Sequence, residues 1–254
     1  MIANYMNIRI YLIIALGALT ALLWQSLGPT SPVHNTAPLP TEEPVVVAEE
    51  AEEEPGLPSY VNLEVPYISE APENTWTGSW KNGCEEAIVA MAEKYYQGIT
   101  SVTIPEAKAY MQELFDFQQR VYGSDANSDA TRTLAIVENN ASFGATLVEN
   151  PTLEQIKQEL ARGRPVLGFH YGFALQNENI PFLPTGSSYH TTVIKGYNDA
   201  MGQFITNDPG DTVAGADRLY DYDIYLDSLH DYNYSVSQAN GPARVLFTSP
   251  GPAL

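Results

Sequence analysis

The chain contains one cysteine, and its position suits a reactive thiol. Cys84 follows Gly83 and begins a helix predicted from the apolar spacing of residues 84–96. The free N–H groups and the dipole of a helix N-terminus favour an anion, and the thiolate is the nucleophilic form of cysteine. Position alone leaves one alternative open, which is a small buried hydrophobic residue.

A nucleophilic thiol needs a base, and four histidines are available. His34 lies in a polar N-terminal stretch, and His230 lies in a stretch rich in Asp and Tyr that is typical of a surface. His170 stands within an apolar strand, where a packed histidine with satisfied hydrogen bonds is expected. His190 begins a strand just after a loop at 184–188, so we favour His190 as the base.

A third member follows from a predicted hairpin. If the turn is centred on Ala200, residues whose numbers sum to 400 face each other, so Asp208 lies opposite Thr192, two positions from His190. Asp208 can then reach the imidazole and hold one ring nitrogen protonated. Asn207 points to the other face of the sheet, although a bulge at 207–210 would change this register.

The elements that position these residues separate along the chain. Helical patterns come first and strand patterns follow, which predicts an α+β fold with helices segregated from a mainly antiparallel sheet. Predicted helices cover 84–96, 103–119, 129–139, 152–163 and a short acidic stretch at 221–229, and predicted strands cover 61–68, 165–171, 190–197, 203–207 and 244–247.

Composition excludes several classes of function. Twelve lysines and arginines against 31 acidic residues give a net charge of −19, which opposes binding to nucleic acid. Four histidines and one cysteine are too few for a structural zinc site, and a lone cysteine forms no internal disulfide. We therefore expect no nucleic-acid partner, no metal and no cofactor.

The N-terminus is predicted to form separate segments. An apolar run at 10–24 follows Arg9 and indicates a membrane anchor or a signal segment within residues 1–27. Residues 28–58 are rich in Pro and Glu and are expected to form a disordered linker. Residues 59–254 form the predicted domain. This arrangement places the domain outside the cytoplasm, either membrane-anchored or secreted after cleavage.

Four short blocks, taken together, resemble the peptidase C39-like family of papain-like cysteine hydrolases. They are VPYISEAP at 65–72, NGCEEA at 82–87, HTTVIKGY at 190–197 and FITNDPG at 204–210. The resemblance implies a papain-like fold in which the cysteine-bearing helix packs against the sheet. By matching positions, it also implies Cys84 as nucleophile, His190 as general base and acid, and Asp208 as the orienting group.

The sequence departs from the family pattern at one position of the site. Members of the family usually carry Gln where this chain has Glu70. That amide donates a hydrogen bond to the developing oxyanion, whereas an ionised carboxylate has no donor. Losing one such donor costs roughly 10²–10³ in rate. A buried, protonated Glu70 can still donate, so we keep Glu70 as a site residue.

Other residues attract attention but admit simpler interpretations. Trp76 and Trp80 either line a cleft or anchor a loop to the core. Glu85 and Glu86 are expected to complement the helix dipole rather than to act in catalysis. Asp221, Asp223, Asp227 and Asp231 resemble a cation site, but a solvated helix face is the expected interpretation because no EF-hand loop is present.

The sequence as a whole predicts an extracytoplasmic cysteine hydrolase that cleaves peptide or amide bonds through an acyl-enzyme. Two alternatives remain open at this point. One is an inactive C39-like module that binds peptide or cell-wall material, and the other is a transferase or cell-wall amidase with the same three residues. The sequence assigns no oligomeric state.

Overall fold

A seven-stranded antiparallel sheet organises the computed structural model, which describes residues 56–182 and 188–251. Its strands lie in the order β2-β7-β3-β4-β5-β6, and β1 pairs with β4. The strands are β1 (Tyr60–Asn62), β2 (Gly144–Glu149), β3 (Val166–Tyr171), β4 (Tyr189–Asn198), β5 (Gln203–Asn207), β6 (Arg218–Asp221) and β7 (Arg244–Ser249). The helices are α1 (Cys84–Tyr96), α2 (Ile104–Tyr122), α3 (Ala130–Asn140), α4 (Leu153–Ala161) and α5 (Tyr222–Ser228), with short 3₁₀ turns at Gly78–Asn82 and Gly172–Leu175.

Local sequence signals determine where the helices begin and end. Thr103 and Glu106 form a capping box at the start of α2, and Gly123 ends that helix in the left-handed conformation. Thr152 and Gln155 form a second capping box at the start of α4. These signals explain why α2 continues past the predicted end at residue 119 and stops only before Gly123.

The helices cover both faces of the sheet. One hydrophobic cluster packs α1, α2 and α3 against Leu167 and Phe169 of β3 and Val193 of β4. A second cluster packs α4 and α5 against Val166 and Ile194 of the same two strands. Neighbouring residues of each strand thus face opposite layers, as the period of two requires. The α+β fold with the cysteine-bearing helix on an antiparallel sheet is confirmed.

The helix that carries Cys84 is central to the first layer. Every residue from position 84 to position 93 is buried, and the side chains at 87–92 have no exposed surface. Residues 87–92 are all apolar, and a stretch that is apolar on every side is stable only in the interior. The start of α1 is therefore fixed by its packing, which holds the cysteine at a defined place.

One predicted strand is shorter in the structure, and two observed strands were not predicted. The opening strand expected at 61–68 ends at Asn62, because the chain turns after Leu63, where the N–H of Val65 donates to the oxygen of Leu63 at 2.8 Å. Strands β2 and β6 were not predicted, since β2 lacks a clear alternation of buried and exposed residues and β6 has only four residues.

The segment predicted at 1–27 lies outside the described residues, as do residues 28–55 of the linker predicted at 28–58. Among residues 56–182 and 188–251, no helix combines the length and the apolar character that a bilayer crossing requires. The division of the chain into anchor, linker and domain stays a prediction.

Candidate active site

Cys84 is the first residue of α1, and a neighbouring segment of chain lies directly against it. The thiol-bearing residue is buried, with 3% of its surface exposed. A β-carbon added to Gly83 would lie 2.8 Å from the backbone oxygen of Glu70, so glycine is needed for this approach. The backbone N–H of Glu70 in turn donates to the oxygen of Pro209 at 3.1 Å. The start of α1 is thereby joined to the loop after β5.

His190 and Asp208 form a direct pair next to the cysteine. His190 Nε2 lies 2.7 Å from Asp208 Oδ1, and both side chains are buried. The second carboxylate oxygen of Asp208 accepts hydrogen bonds from Tyr220 Oη at 2.5 Å and from Asn177 Nδ2 at 3.2 Å. The carboxylate is therefore fixed on three sides, and it leaves Nδ1 of His190 as the nitrogen that remains for the thiol.

The register of the hairpin explains how the pair meets. Near the turn, residues of β4 and β5 pair with numbers that sum to 401, as Asn198 and Gln203 do. A bulge at Lys195 moves the register by one residue, and Val193 then faces Asn207. Continued by one residue, this register sets Asp208 opposite Thr192, as predicted. This bulge lies on β4, whereas the bulge considered from the sequence was at 207–210, at the end of β5.

The structure brings the thiol, the imidazole and the carboxyl of Glu70 together. The sulfur of Cys84, a ring nitrogen of His190 and a carboxyl oxygen of Glu70 all lie within 4.8 Å of one another. The thiol of Cys84 donates to Glu85 Oε2 at 3.0 Å, and Glu85 Oε1 accepts from the backbone N–H of Ser128 at 2.5 Å. The predicted site residues Cys84, His190 and Glu70 therefore lie together, and Asp208 joins them through its bond to His190.

Burial and acidic neighbours control protonation at the thiol. Burial raises the pKa of the Cys84 thiol well above its usual value, and the carboxyls of Glu85 and Glu70 raise that pKa further. Burial also raises the pKa of Glu70 to about 8, against the opposing effect of His190. The resting site therefore holds a neutral thiol and a largely neutral Glu70 at neutral pH.

The pKa values of the histidine–aspartate pair move apart. Burial alone lowers the pKa of His190, but the charge and the hydrogen bond of Asp208 outweigh burial and raise that pKa. Burial raises the pKa of Asp208, but His190, Tyr220 and Asn177 outweigh burial and lower that pKa. The carboxylate thus stays ionised beside an imidazole that accepts a proton readily.

A cleft of about 590 Å³ opens onto these groups. Glu70, Cys84 and His190 line it, together with Trp76 and the apolar side chains of the 180–182 segment. Trp80 instead packs edge-on against Phe115 in the core, at 5.1 Å between ring centroids. Trp76 therefore lines the cleft, and Trp80 anchors its segment to the core, so each of the two interpretations holds for one tryptophan.

Comparison with families of known proteins decides the relationship. The sequence model of the Peptidase_C39 like family matches residues 62–240, which is more than half of the chain. The chain belongs to the Peptidase_C39 like family. Comparison with curated proteins finds no match.

Two solved structures illustrate the similarity of this C39-like chain to known proteins. A C39-like peptidase from Bacillus anthracis has 14% identity and a TM-score of 0.47, and the match covers 75% of this chain and 98% of that chain. Xylellain, a cysteine protease from Xylella fastidiosa, has 14% identity and a TM-score of 0.34. The match covers 78% of this chain and 88% of that chain.

Several residues around the site of this C39-like chain escape sequence reasoning. Tyr220 and Asn177 support Asp208 from a short strand and from the segment after a 3₁₀ turn, and no local pattern marks either residue. Glu85 contacts the thiol itself, beyond the expected role at the helix dipole. Its position beside Cys84 was the available signal, since the second residue of a helix lies close to the first.

The other described histidines, His170 and His230, form hydrogen bonds within the fold. His170 is buried and bonds Ser228 Oγ at 2.8 Å and Thr192 Oγ1 at 3.1 Å, so the expected packed histidine is confirmed. Burial lowers the pKa of His170 well below its usual value. His230 was expected at the surface but is half-buried, with Nδ1 at 3.3 Å from the oxygen of Gly241. His34 lies outside the described residues.

The interpretation of the four aspartates as one solvated helix face is wrong for Asp231. Asp221, Asp223 and Asp227 are exposed, as expected. Asp231 is fully buried beyond the end of α5, and it pairs with Arg244 at 3.1 Å. The segment leaves the helix at Ser228, and the chain then turns inward, so the helical spacing no longer applies.

Proposed function

We propose that this C39-like chain is a cysteine hydrolase that cleaves peptide or amide bonds through a covalent acyl-enzyme. Cys84 is the nucleophile, His190 is the general base and acid, and Asp208 orients His190. One observation carries the proposal: His190 is bonded to Asp208 through Nε2 and lies next to the thiol at the floor of a cleft. Membership in a peptidase-like family supports the reaction class.

The reaction begins from a neutral thiol, because burial and two carboxyls raise the pKa of Cys84. Nδ1 of His190 takes the thiol proton as the sulfur attacks the substrate carbonyl carbon, and a tetrahedral intermediate forms. The imidazolium then gives this proton to the leaving amine, and the thioester of Cys84 remains. Water, deprotonated by His190, attacks the thioester and regenerates the thiol.

The oxyanion of the intermediate needs hydrogen-bond donors. The backbone N–H of Cys84 lies at the N-terminus of α1, where N–H groups have no partner within the helix. Glu70 is the second donor when its carboxyl is protonated, and burial favours that form by raising the pKa of Glu70 to about 8. A protonated Glu70 therefore donates the hydrogen bond that the glutamine amide usually donates in this family.

Alkylation of the thiol tests the proposal directly. Cys84 is the only cysteine, so the rate of carboxamidomethylation by iodoacetamide reports this residue alone. Because the thiol is neutral at rest, its labelling depends on a base, so we expect His190→Ala to slow labelling of the chelator-treated full chain. His230→Gln is the matched control and leaves the rate unchanged. Equal labelling rates in the unaltered chain and in His190→Ala contradict the proposal.

A specific observation favours a second candidate, which is a binding module without catalysis. Two acidic side chains, Glu70 and Glu85, lie beside the thiol and oppose its ionisation. A binding module would label slowly, would show no turnover of a peptide library and would still bind peptides in the cleft.

Product analysis with an added amine separates hydrolysis from transfer, because a transferase gives the amine adduct in place of the acid.

We also propose that the domain works outside the cytoplasm. The apolar run at 10–24 behind Arg9 supports this location. A reporter enzyme that is active only after export, fused to the C-terminus, is expected to be active in bacterial cells. Deletion of residues 1–27 is expected to abolish that activity. A reporter that stays inactive in the full-length fusion contradicts the proposed location.

A further inference from the structure

Three different donor groups converge at the floor of the cleft, and their combination has a use beyond hydrolysis. The sulfur of Cys84, a ring nitrogen of His190 and a carboxylate oxygen of Glu70 lie within 4.8 Å of one another. Each residue is more than nine-tenths buried. We propose that these three side chains bind one divalent cation of the zinc class, and that the bound ion reversibly inhibits the hydrolase.

The donor types fit this class of ion. Zinc binds thiolate, imidazole and carboxylate, and open zinc sites use three protein ligands and leave the fourth position to water. The expectation of no metal rested on too few ligands for a closed, four-ligand structural site, which is a different class. Bound donors stand about 3.4–3.8 Å apart at the usual zinc bond lengths. Starting from separations of up to 4.8 Å, the three groups thus need to close by about 1.4 Å or less, which side-chain rotation supplies.

The surroundings of His190 suit a metal ligand. Asp208 Oδ1 holds Nε2 at 2.7 Å, so the second ring nitrogen, Nδ1, is available to the ion. A carboxylate on the far side of a ligating imidazole fixes the ring and increases its basicity. Tyr220 and Asn177 hold Asp208 in turn, which gives the histidine an ordered outer support.

Charge balance explains why Glu70 matters for the ion. The thiolate of Cys84 and the carboxylate of Glu70 together match the two positive charges of the ion, and the ionised Asp208 behind His190 adds a further negative charge nearby. A glutamine at position 70 would replace a negatively charged ligand with a neutral one, which weakens the attraction for the ion. The acidic domain also favours cations. Seven of the 31 acidic residues and one of the 12 basic residues precede position 59, which leaves 24 against 11 and a net charge of −13.

The consequence for the enzyme rests on the proposed function. A bound ion holds the sulfur of Cys84 and Nδ1 of His190, so neither group can attack a carbonyl or move a proton. Binding releases the protons that the thiol and the carboxyl carry, and a chelator restores them. The departure from the family pattern at Glu70 thus converts the donor position of the oxyanion site into the third ligand of a metal switch.

Cobalt titration tests the binding site without reference to activity. We expect the untagged full chain to bind one Co²⁺ per chain, with a near-ultraviolet charge-transfer band from the Cys84 thiolate, and to release it to added Zn²⁺. Cys84→Ser loses the band. Glu70→Gln weakens Co²⁺ affinity by at least the roughly 10–100-fold that loss of an outer-shell partner costs. Glu113→Gln, at an exposed carboxylate of α2, is the matched control and binds as the unaltered chain does.

The outcomes separate this inference from the proposed function. Equal Co²⁺ affinity in the unaltered chain and in Glu70→Gln overturns the metal site, as does the absence of a thiolate band. Hydrolysis by the chelator-treated chain without any thiolate band leaves the hydrolase and removes the switch. A thiolate band with no hydrolysis after chelation keeps the cation site and removes the hydrolase. Hydrolysis that is lost with one equivalent of Zn²⁺ and restored by chelator supports both.

Discussion

Glu70 has two distinct abilities, and its protonation state decides between them. A protonated carboxyl donates a hydrogen bond to an oxyanion, whereas an ionised carboxylate binds a cation. Its burial against α1 raises its pKa to about 8, so both forms are accessible near neutral pH. Glutamine has nearly the same shape and keeps only the donor. Substitution at position 70 therefore separates catalysis from metal binding within one residue.

Glutamine at position 70 should preserve hydrolysis. In the presence of a chelator we expect kcat/KM of Glu70→Gln to stay within about threefold of the unaltered chain, because the side-chain amide replaces the donor. Glu70→Ala removes the donor and should lower kcat by roughly 10²–10³. Peptide hydrolysis at pH 7 measures both variants. If Glu70→Ala hydrolyses as fast as Glu70→Gln, the donor role is wrong.

Asp208 acts through His190, and its removal should change the rate far more than substrate binding. Asp208→Ala removes both the charge that raises the pKa of His190 and the oxygen that accepts from Nε2–H. We expect kcat to fall on the order of 10²–10⁴, with KM changed little. Asn207→Ala is the neighbouring control, because Asn207 Nδ2 bonds the backbone oxygen of Val65, away from the histidine. A similar fall in kcat for both variants would count against this role.

At the scale of elements, the hairpin shows what a sequence can predict. Period-two alternation and the turn cluster predicted the hairpin itself, but the predicted turn centre was off by half a residue, and the bulge at Lys195 offsets that error and sets Asp208 opposite Thr192. The bulge at Lys195 was not predictable. It depends on how β1 and β5 pair with the two edges of β4, and those pairings involve residues far apart in the chain.

The supports of the site come from long-range packing and were missed for that reason. Tyr220 reaches Asp208 because β6 pairs with β5, and a four-residue strand carries too little pattern to reveal that pairing. Helices α1, α2 and α4 were predicted closely, since apolar spacing and capping boxes are local signals. The site residues were therefore predictable, while the side chains that fix them were not.

Asp231 links three elements, and its loss should destabilise the fold. Its carboxylate accepts from Ala130 N–H at the start of α3 and from Tyr189 Oη of β4, each at 3.0 Å, and it pairs with Arg244 of β7. We expect Asp231→Ala to lower the free energy of unfolding by about 2–4 kcal/mol, because buried partners lose their acceptor. Urea unfolding measures the change. Asp227→Ala, at an exposed site, should change stability by less than about 0.5 kcal/mol. Equal effects would contradict the structural role of Asp231.

At the scale of the whole molecule, the boundary of the domain depends on β1. Strand β1 covers an edge of β4, the strand that carries His190, and Gly196 is required there because an added β-carbon would lie 2.1 Å from the oxygen of Val61. Beyond β1, Leu63 N–H donates to the oxygen of Lys195 at 2.8 Å. The first residues of the folded part therefore contribute directly to the strand that carries His190.

Two truncated chains test where the domain begins. A chain that starts at Gly56 keeps β1 and should unfold with the same free energy as the full chain. A chain that starts at Glu64 loses the backbone hydrogen bonds of β1 and the packing of Val61 and Leu63. Several hydrogen bonds at about 1 kcal/mol each, with two partly buried apolar side chains, predict a loss of about 3–6 kcal/mol. Urea unfolding compares the chains, and kcat should fall with stability only in the shorter one, because β4 then has a bare edge. Equal unfolding of the two truncated chains would place the start of the domain after residue 63 and remove β1 from the support of His190.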